Sequence, residues 1–290
     1  MRFATFVAGG AHHLGVVDGE EIADVTAVDG ALGPDLGAVL AAGRLAEVAT
    51  AVPRAPRIPR QGATLVAPVL RPPKVLAIGL NYAMHVAETG AEPPPHQLWF
   101  NKQSTCIIGP GAPIEVPVAS SVVDYEGELA FVIGRRCRHV PAGRAAEVIA
   151  GYTICNDVSV RDWQMRTPTM TMGKSFDTHG PLGPWVVTAD EVGDPHGLSL
   201  RTWVNDELRQ DGKTDDLIYD CFDMVEHLST AFTLEPGDVI STGTPAGVGI
   251  AMNPPQLLRA GDVVRIEIEG IGTLENPVID EPAPVPEGVD

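Results

Sequence analysis

The sequence predicts an α+β fold in which β-structure dominates. Three observations carry this. Short β-branched and apolar runs outnumber helical patterns. Turn signals such as Asp18-Gly19, Asn205-Asp206 and Glu235-Pro236-Gly237-Asp238 separate those runs. Hydrophobic residues make up 44% of the 290, enough for a proper core with peripheral helices around it.

Along the chain, Phe3–Val7, Leu14–Val17 and Glu21–Val25 read as strands, with Asp18-Gly19 as the hairpin turn between the last two. Leu36–Val48 carries a helical pattern. From Pro53 to Pro73 the chain is rich in proline and arginine, a composition that precludes regular structure and marks a connector. A small N-terminal α+β domain over residues 1–70, linker included, is therefore expected before a main domain over 71–281. The main domain opens with the buried strand Lys74–Gly79. Asn81–Thr89 reads as a short helix closed by Gly90, and the loop Glu92–His96 follows with three prolines. Further strands are expected at Leu129–Ile133, Tyr152–Cys155, Trp185–Thr188, Ser199–Val204, Val239–Thr242 and Val263–Ile268, and helices at Ala142–Ile149 and Tyr219–Ala231. The Pro-rich tail, 282–290, reads as extended or mobile.

Bulk properties exclude some partners. A net charge of −18 disfavours nucleic acid and anionic membranes. No apolar run reaches about 18 residues, so no transmembrane helix is expected, and Met1–Val7 lacks the long apolar stretch of a secretory signal. The four cysteines, Cys106, Cys137, Cys155 and Cys221, form no C-x-x-C pair and read as reduced thiols of a cytoplasmic protein. Lysine is rare: Lys74, Lys102, Lys174 and Lys213 stand against sixteen arginines. A lysine beside reactive groups therefore carries extra weight.

The chemistry centres on Asp124-Tyr125-Glu126-Gly127-Glu128, which leads straight into the apolar run Leu129–Ile133. Side chains on a strand alternate faces, so Glu126 and Glu128 share one. Adjacent carboxylates at the mouth of a core strand repel each other and are costly to desolvate. A hard divalent cation resolves that cost, since oxygen ligands suit Mg²⁺, Mn²⁺ or Ca²⁺. A solvated strand mouth is the competing reading. Asp157, at the end of the Tyr152–Cys155 run, can supply a third carboxylate or cap the next helix.

Three other motifs bear on the site. His85 and Glu88 are spaced i, i+3 on the short helix, so Glu88 can bond one imidazole nitrogen and leave the other as a base for water; a solvated helix face is the alternative. Arg161 can hold an anionic substrate or pair with a local acid, and Gln164 can donate to a carbonyl. Gly173-Lys174-Ser175 lacks the glycine that a phosphate loop needs five residues earlier, where Pro168 stands, so Lys174 reads as a single cation aimed at a substrate oxygen or as a surface lysine. The loop Ser241–Gly249 also lacks dinucleotide spacing; either its backbone or the Thr244 hydroxyl lines a pocket, or the loop is a plain tight turn.

Taken in order, these motifs resemble the fumarylacetoacetate hydrolase superfamily. The matching residues are Gly79-Leu80-Asn81-Tyr82 with His85 and Glu88, the stretch Asp124–Ala130, Asn156–Ser159 with Arg161, Asp162 and Gln164, Gly173–Asp177 with Gly180-Pro181, and Ser241–Gly249. The resemblance covers roughly residues 72–280. It implies a mixed β-sheet roll, usually in a homodimer. It implies one Mg²⁺ or Mn²⁺ on Glu126, Glu128 and Asp157, a catalytic His85, Glu88 and Lys174 with the His/Glu pair on a closing lid, and substrate contacts from Arg161, Gln164, Tyr82 and Thr244. The substrates it implies are 2-oxo acids and 1,3-dicarbonyls such as acylpyruvates, cleaved at a C–C bond by hydrolysis. Decarboxylation of oxaloacetate, or isomerisation of a 2-hydroxyhepta-2,4-diene-1,7-dioate-type compound, is the alternative on the same residues.

Overall fold

A computed structural model describes residues 1–282; the expected mobile tail lies, beyond Pro282, outside the described residues. Strands dominate, with nineteen of them against six α-helices among the described residues. The central row of the main sheet runs, in spatial order, Gly180–Thr188, Ile149–Asn156, Gly127–Ile133, Val239–Ser241, Val75–Gly79 and Leu98–Lys102. Within this row only Val239–Ser241 and Val75–Gly79 are parallel neighbours. The β-rich, mixed-sheet α+β expectation holds.

A second sheet of five strands, Glu207–Lys213, Ser199–Val204, Val263–Ile268, Gly272–Asp280 and Ile114–Val116, packs on the first. The strand Gly127–Ile133 explains its own composition. Leu129, Phe131 and Ile133 join the core that also holds Leu200, Val264 and Ile266 of the second sheet. Ala130 and Val132 point the other way, into a core with Leu36, Val39 and Val48. Both faces are dry, so the strand is continuously apolar rather than alternating.

The first seventy residues build onto this sheet. Arg2–Ala8 pairs with Gly180–Thr188 through Arg2↔Val187 and Phe3↔Val186, and with Ala11–Asp18 on its other side. Two details differ from expectation. The helix expected over Leu36–Val48 is two helices, Leu36–Ala41 and Leu45–Ala51, because Gly43 between them adopts a left-handed φ of 68°. The Pro/Arg connector does contain regular structure: Arg57–Pro59 pairs with Glu21–Asp24, and Leu65–Val66 with Arg2–Ala8. Proline is tolerated there because such short edge strands leave one side unpaired. In the main domain, Ala142–Glu147 is a 3₁₀ turn rather than an α-helix, and Ile149 already begins the next strand.

Candidate metal centre and the neighbouring His85 helix

The strand register assembles the carboxylates. Gly127 pairs with Asn156 and Glu128 with Cys155, and the ladder continues as the Asp157 N–H donates to the Glu126 carbonyl at 2.9 Å. Directly opposed residues share a face, so Asp157 arrives beside Glu126 and Glu128. Their ligand oxygens lie within 4.8 Å of one another, and all three residues are buried.

Cations surround this cluster unevenly. Lys174 Nζ bridges Glu126 Oε2 at 2.7 Å and Asp157 Oδ2 at 2.8 Å. Arg161 Nη1 donates to Glu126 Oε1 at 2.6 Å. Lys102 Nζ stands 2.8 Å from Asp157 Oδ1, an ion pair without hydrogen-bond geometry, so that oxygen has no hydrogen-bond partner among the described residues. Among the described residues, no cation pairs with Glu128. Its Oε2 accepts from Ser241 Oγ at 2.5 Å and Gly243 N at 2.9 Å.

The electrostatics follow from this layout. Burial pushes Glu126 up, but Lys174 and Arg161 outweigh it and hold the carboxyl well below the ordinary range. Burial, then Asp157 and Glu126, push Glu128 well above that range. The residues fit a divalent cation: clustered hard oxygens, one of them without a hydrogen-bond partner, and an ammonium already bridging two of the carboxylates. Glu126, Glu128 and Asp157 would hold it.

Asp124 serves a different purpose. It is fully buried, and its Oδ2 takes both Arg161 Nε and Nη2, at 2.9 and 2.8 Å. It also accepts from the N–H groups of Tyr125, Gly249 and Ile250. Burial opposes the Arg161 charge, yet Glu126 and Asp124 raise its pKa above the usual value. Of the two readings of Arg161, its pairing with local acids is the one visible in the geometry.

His85 and Glu88 sit on the helix Ala83–Thr89, stopped by Gly90 in the left-handed conformation. His85 Nδ1 lies 3.1 Å from Glu88 Oε2, and Glu88 Oε1 accepts from Gly247 N at 2.8 Å. The helix is thereby tied to the glycine-rich loop. Gly247 has to be glycine: its φ is 105°, and a Cβ would stand 2.0 Å from the Arg209 carbonyl oxygen. Gly173 likewise lets the Lys174 segment lie against Arg161–Gln164, since a Cβ there would meet Gln164 N at 2.1 Å.

A cavity of about 490 Å³ joins these parts. Glu126, Glu128, Arg161, Gln164, Lys174, His85 and Thr244 line it. Gln164 Nε2 meets only Met170 Sδ, at 3.8 Å. The Thr244 hydroxyl is engaged on both sides, donating to Gly127 O and accepting from Gln210 Nε2. Tyr82 and Glu88 are not among the lining residues; the Tyr82 ring is enclosed and its hydroxyl has no partner among the described residues. Sequence reasoning missed Lys102 and the role of Ser241. The scarcity of lysine is the one sequence signal that points to Lys102, and it does not say which acid the residue meets.

Residues 74–279 match the family described as fumarylacetoacetate (FAA) hydrolase C-terminal. The chain belongs to the fumarylacetoacetate hydrolase family. It is 43% identical over 222 residues to the mitochondrial oxaloacetate tautomerase of Xenopus laevis, covering 76% of this chain and 70% of that one. Maleylpyruvate hydrolase from Sphingobium sp. SYK-6, in complex with manganese(II) ion and pyruvate, superposes with a TM-score of 0.81 at 36% identity, over 97% of this chain and 99% of that one. The 2-hydroxyhepta-2,4-diene-1,7-dioate isomerase of Mycobacterium marinum superposes with a TM-score of 0.76 at 35% identity, over 98% and 100%. Members of this one family thus carry hydrolase, isomerase and tautomerase names.

Proposed function

We propose that the protein is a divalent-cation-dependent hydrolase that cleaves a C–C bond in an acylpyruvate-type 2-oxo acid, with Mg²⁺ or Mn²⁺ as the ion. The observation that carries this reading is that His85, bonded through Nδ1 to Glu88, lines the same cavity as Glu126 and Glu128 of the carboxylate cluster. Bound there, the cation would supply Lewis-acid polarisation of the 2-oxo acid oxygens.

The chain's own residues do the rest. Glu88 holds His85 by Nδ1, which leaves Nε2 to take a proton from water. The hydroxide adds to the distal carbonyl, and Gln164 Nε2, free of strong acceptors, donates to the developing oxyanion. Arg161 and Lys174 hold the 2-oxo acid end by their charge. The C–C bond then breaks, its electron pair passes to the enolate of pyruvate, and the proton held by His85 returns to carbon. One water is consumed, and a carboxylic acid and pyruvate are released.

A second reading is keto–enol tautomerisation of oxaloacetate. The 43% identity to the Xenopus laevis tautomerase favours it, and it needs only proton transfer by His85. Pyruvate release from acetylpyruvate with Mn²⁺ and with EDTA, beside the loss of enol-oxaloacetate absorbance, separates the two. Cation-dependent pyruvate release supports hydrolysis. Tautomerisation without pyruvate release overturns it.

A further inference from the structure

The cavity has two chemically different ends. All of its fixed charge lies at the end formed by Glu126, Glu128, Arg161 and Lys174. Among the described residues that line it, Arg161 and Lys174 are the only permanent cations. Both are already paired, Arg161 with Asp124 and Glu126, Lys174 with Glu126 and Asp157. Phe100 faces the Lys174 ammonium at that end, 4.9 Å from Nζ to the ring centroid, and the rest of the lining is mainly apolar, with Leu98, Met165, Met170, Val248 and Ile250.

The mouth is apolar as well. Met165 is 80% exposed and Ile250 41% exposed, although both are large hydrophobic residues. Exposed apolar groups gathered at the rim of a cavity mark a place where an apolar ligand group is covered. Methionine adds adaptability, since its unbranched thioether fits varied shapes. Of the polar groups nearby, the Thr89 hydroxyl donates to Val86 O and Gln164 Oε1 accepts from Arg161, while Gln164 Nε2 is the donor assigned above to the reacting carbonyl.

We infer that the substrate's distal group is an uncharged alkyl or aryl chain rather than a second carboxylate. This rests on the proposed reading of the cluster as the anchor for a 2-oxo acid. A distal carboxylate would be desolvated against thioether and hydrocarbon with no cation to pair with, and it would share the cavity with Glu126 and Glu128. An apolar tail loses nothing there and buries its surface. Substrates that carry a carboxylate at each end, of the dioate kind, are therefore selected against.

Two 2-oxo acids of one shape test this. In 6-methyl-2-oxoheptanoate an isopropyl group replaces the terminal carboxylate of 2-oxoadipate. Titration calorimetry on the Mn²⁺-loaded protein is expected to give at least about tenfold tighter binding of the branched monoacid. Met165→Arg, at an exposed position, supplies the missing cation and is expected to tighten the diacid about tenfold. Equal or tighter binding of the diacid to the unmodified protein overturns the inference and leaves the 2-oxo acid reading standing. No gain for the diacid in Met165→Arg overturns the placement of the tail. Failure of both acids to bind overturns the 2-oxo acid reading itself.

Discussion

Lys102 holds its ammonium 2.8 Å from the Asp157 carboxylate, and neither side chain has any exposure to solvent. Burial works against the Lys102 charge, but Asp157 outweighs it and raises the pKa above the ordinary lysine value. Lys102 also donates to the carbonyl oxygens of Val158 and Lys174. One side chain thus braces the third carboxylate and the backbone of the catalytic lysine candidate together. Removing one member of a buried pair strands the other, at about 3–5 kcal/mol. Lys102→Met is expected to lose about that much stability, read from the midpoint of urea denaturation. A loss below about 1 kcal/mol would show that Asp157 does not depend on it.

Glu128→Gln should move two observables in opposite directions. In the cation-free protein it removes a carboxyl squeezed by Asp157 and Glu126, while the amide oxygen can still accept from Ser241 and Gly243. Thermal stability in EDTA is expected to stay level or rise by roughly 1 kcal/mol. The rise in melting temperature that Mn²⁺ gives the unmodified protein is expected to shrink or vanish. An unchanged Mn²⁺ response would remove Glu128 from the ligand set.

Glu88→Gln separates orientation from latching. The amide oxygen can keep the hydrogen bond from Gly247 N, so the helix stays tied to the loop. The negative charge behind His85 is lost. On the proposed hydrolytic reaction, kcat is expected to fall about 10²-fold or more with KM little changed. A rise in KM at constant kcat would instead assign Glu88 to tying the helix to the loop.

His179 gives a pH signature of stability. Burial lowers its pKa to about 4 from 6.5, while the bond to the Glu115 carbonyl opposes the shift. Above pH 6.5 the ring is neutral whether the chain is folded or not, and it contributes no pH dependence. As pH falls from 6.5 towards 4, the unfolded chain takes up the proton first and stability is lost. Over that window the loss approaches about 3 kcal/mol. His179→Gln is expected to flatten the urea midpoint between pH 6.5 and 4; an unaltered slope would show that other groups carry it.

What the sequence revealed of the site followed from local periodicity. The two-residue alternation put Glu126 and Glu128 on one face, and the i, i+3 spacing joined His85 to Glu88. Contacts between distant segments were not visible in that way. Arg161 finds Asp124 37 residues earlier, and the sequence left its partner open. Lys102 ends the strand Leu98–Lys102, which was not among the expected strands, and nothing local connects it to Asp157. The break at Gly43 was a local signal overridden by the helical pattern around it. The short strands of the proline-rich connector form only because Glu21–Asp24 and Arg2–Ala8 present free edges to them.

The two dry faces of Gly127–Ile133 bear on how the chain can be trimmed. One face is sealed by the second sheet, the other by side chains from the first seventy residues. A fragment beginning at residue 71 would keep every residue of the carboxylate cluster and the His85 helix. It would also present Ala130, Val132, Val186 and Val239 to water as one greasy plate, next to an unpaired edge at Gly180–Thr188. Such a fragment is expected to precipitate or self-associate on expression, although its chemistry is intact on paper.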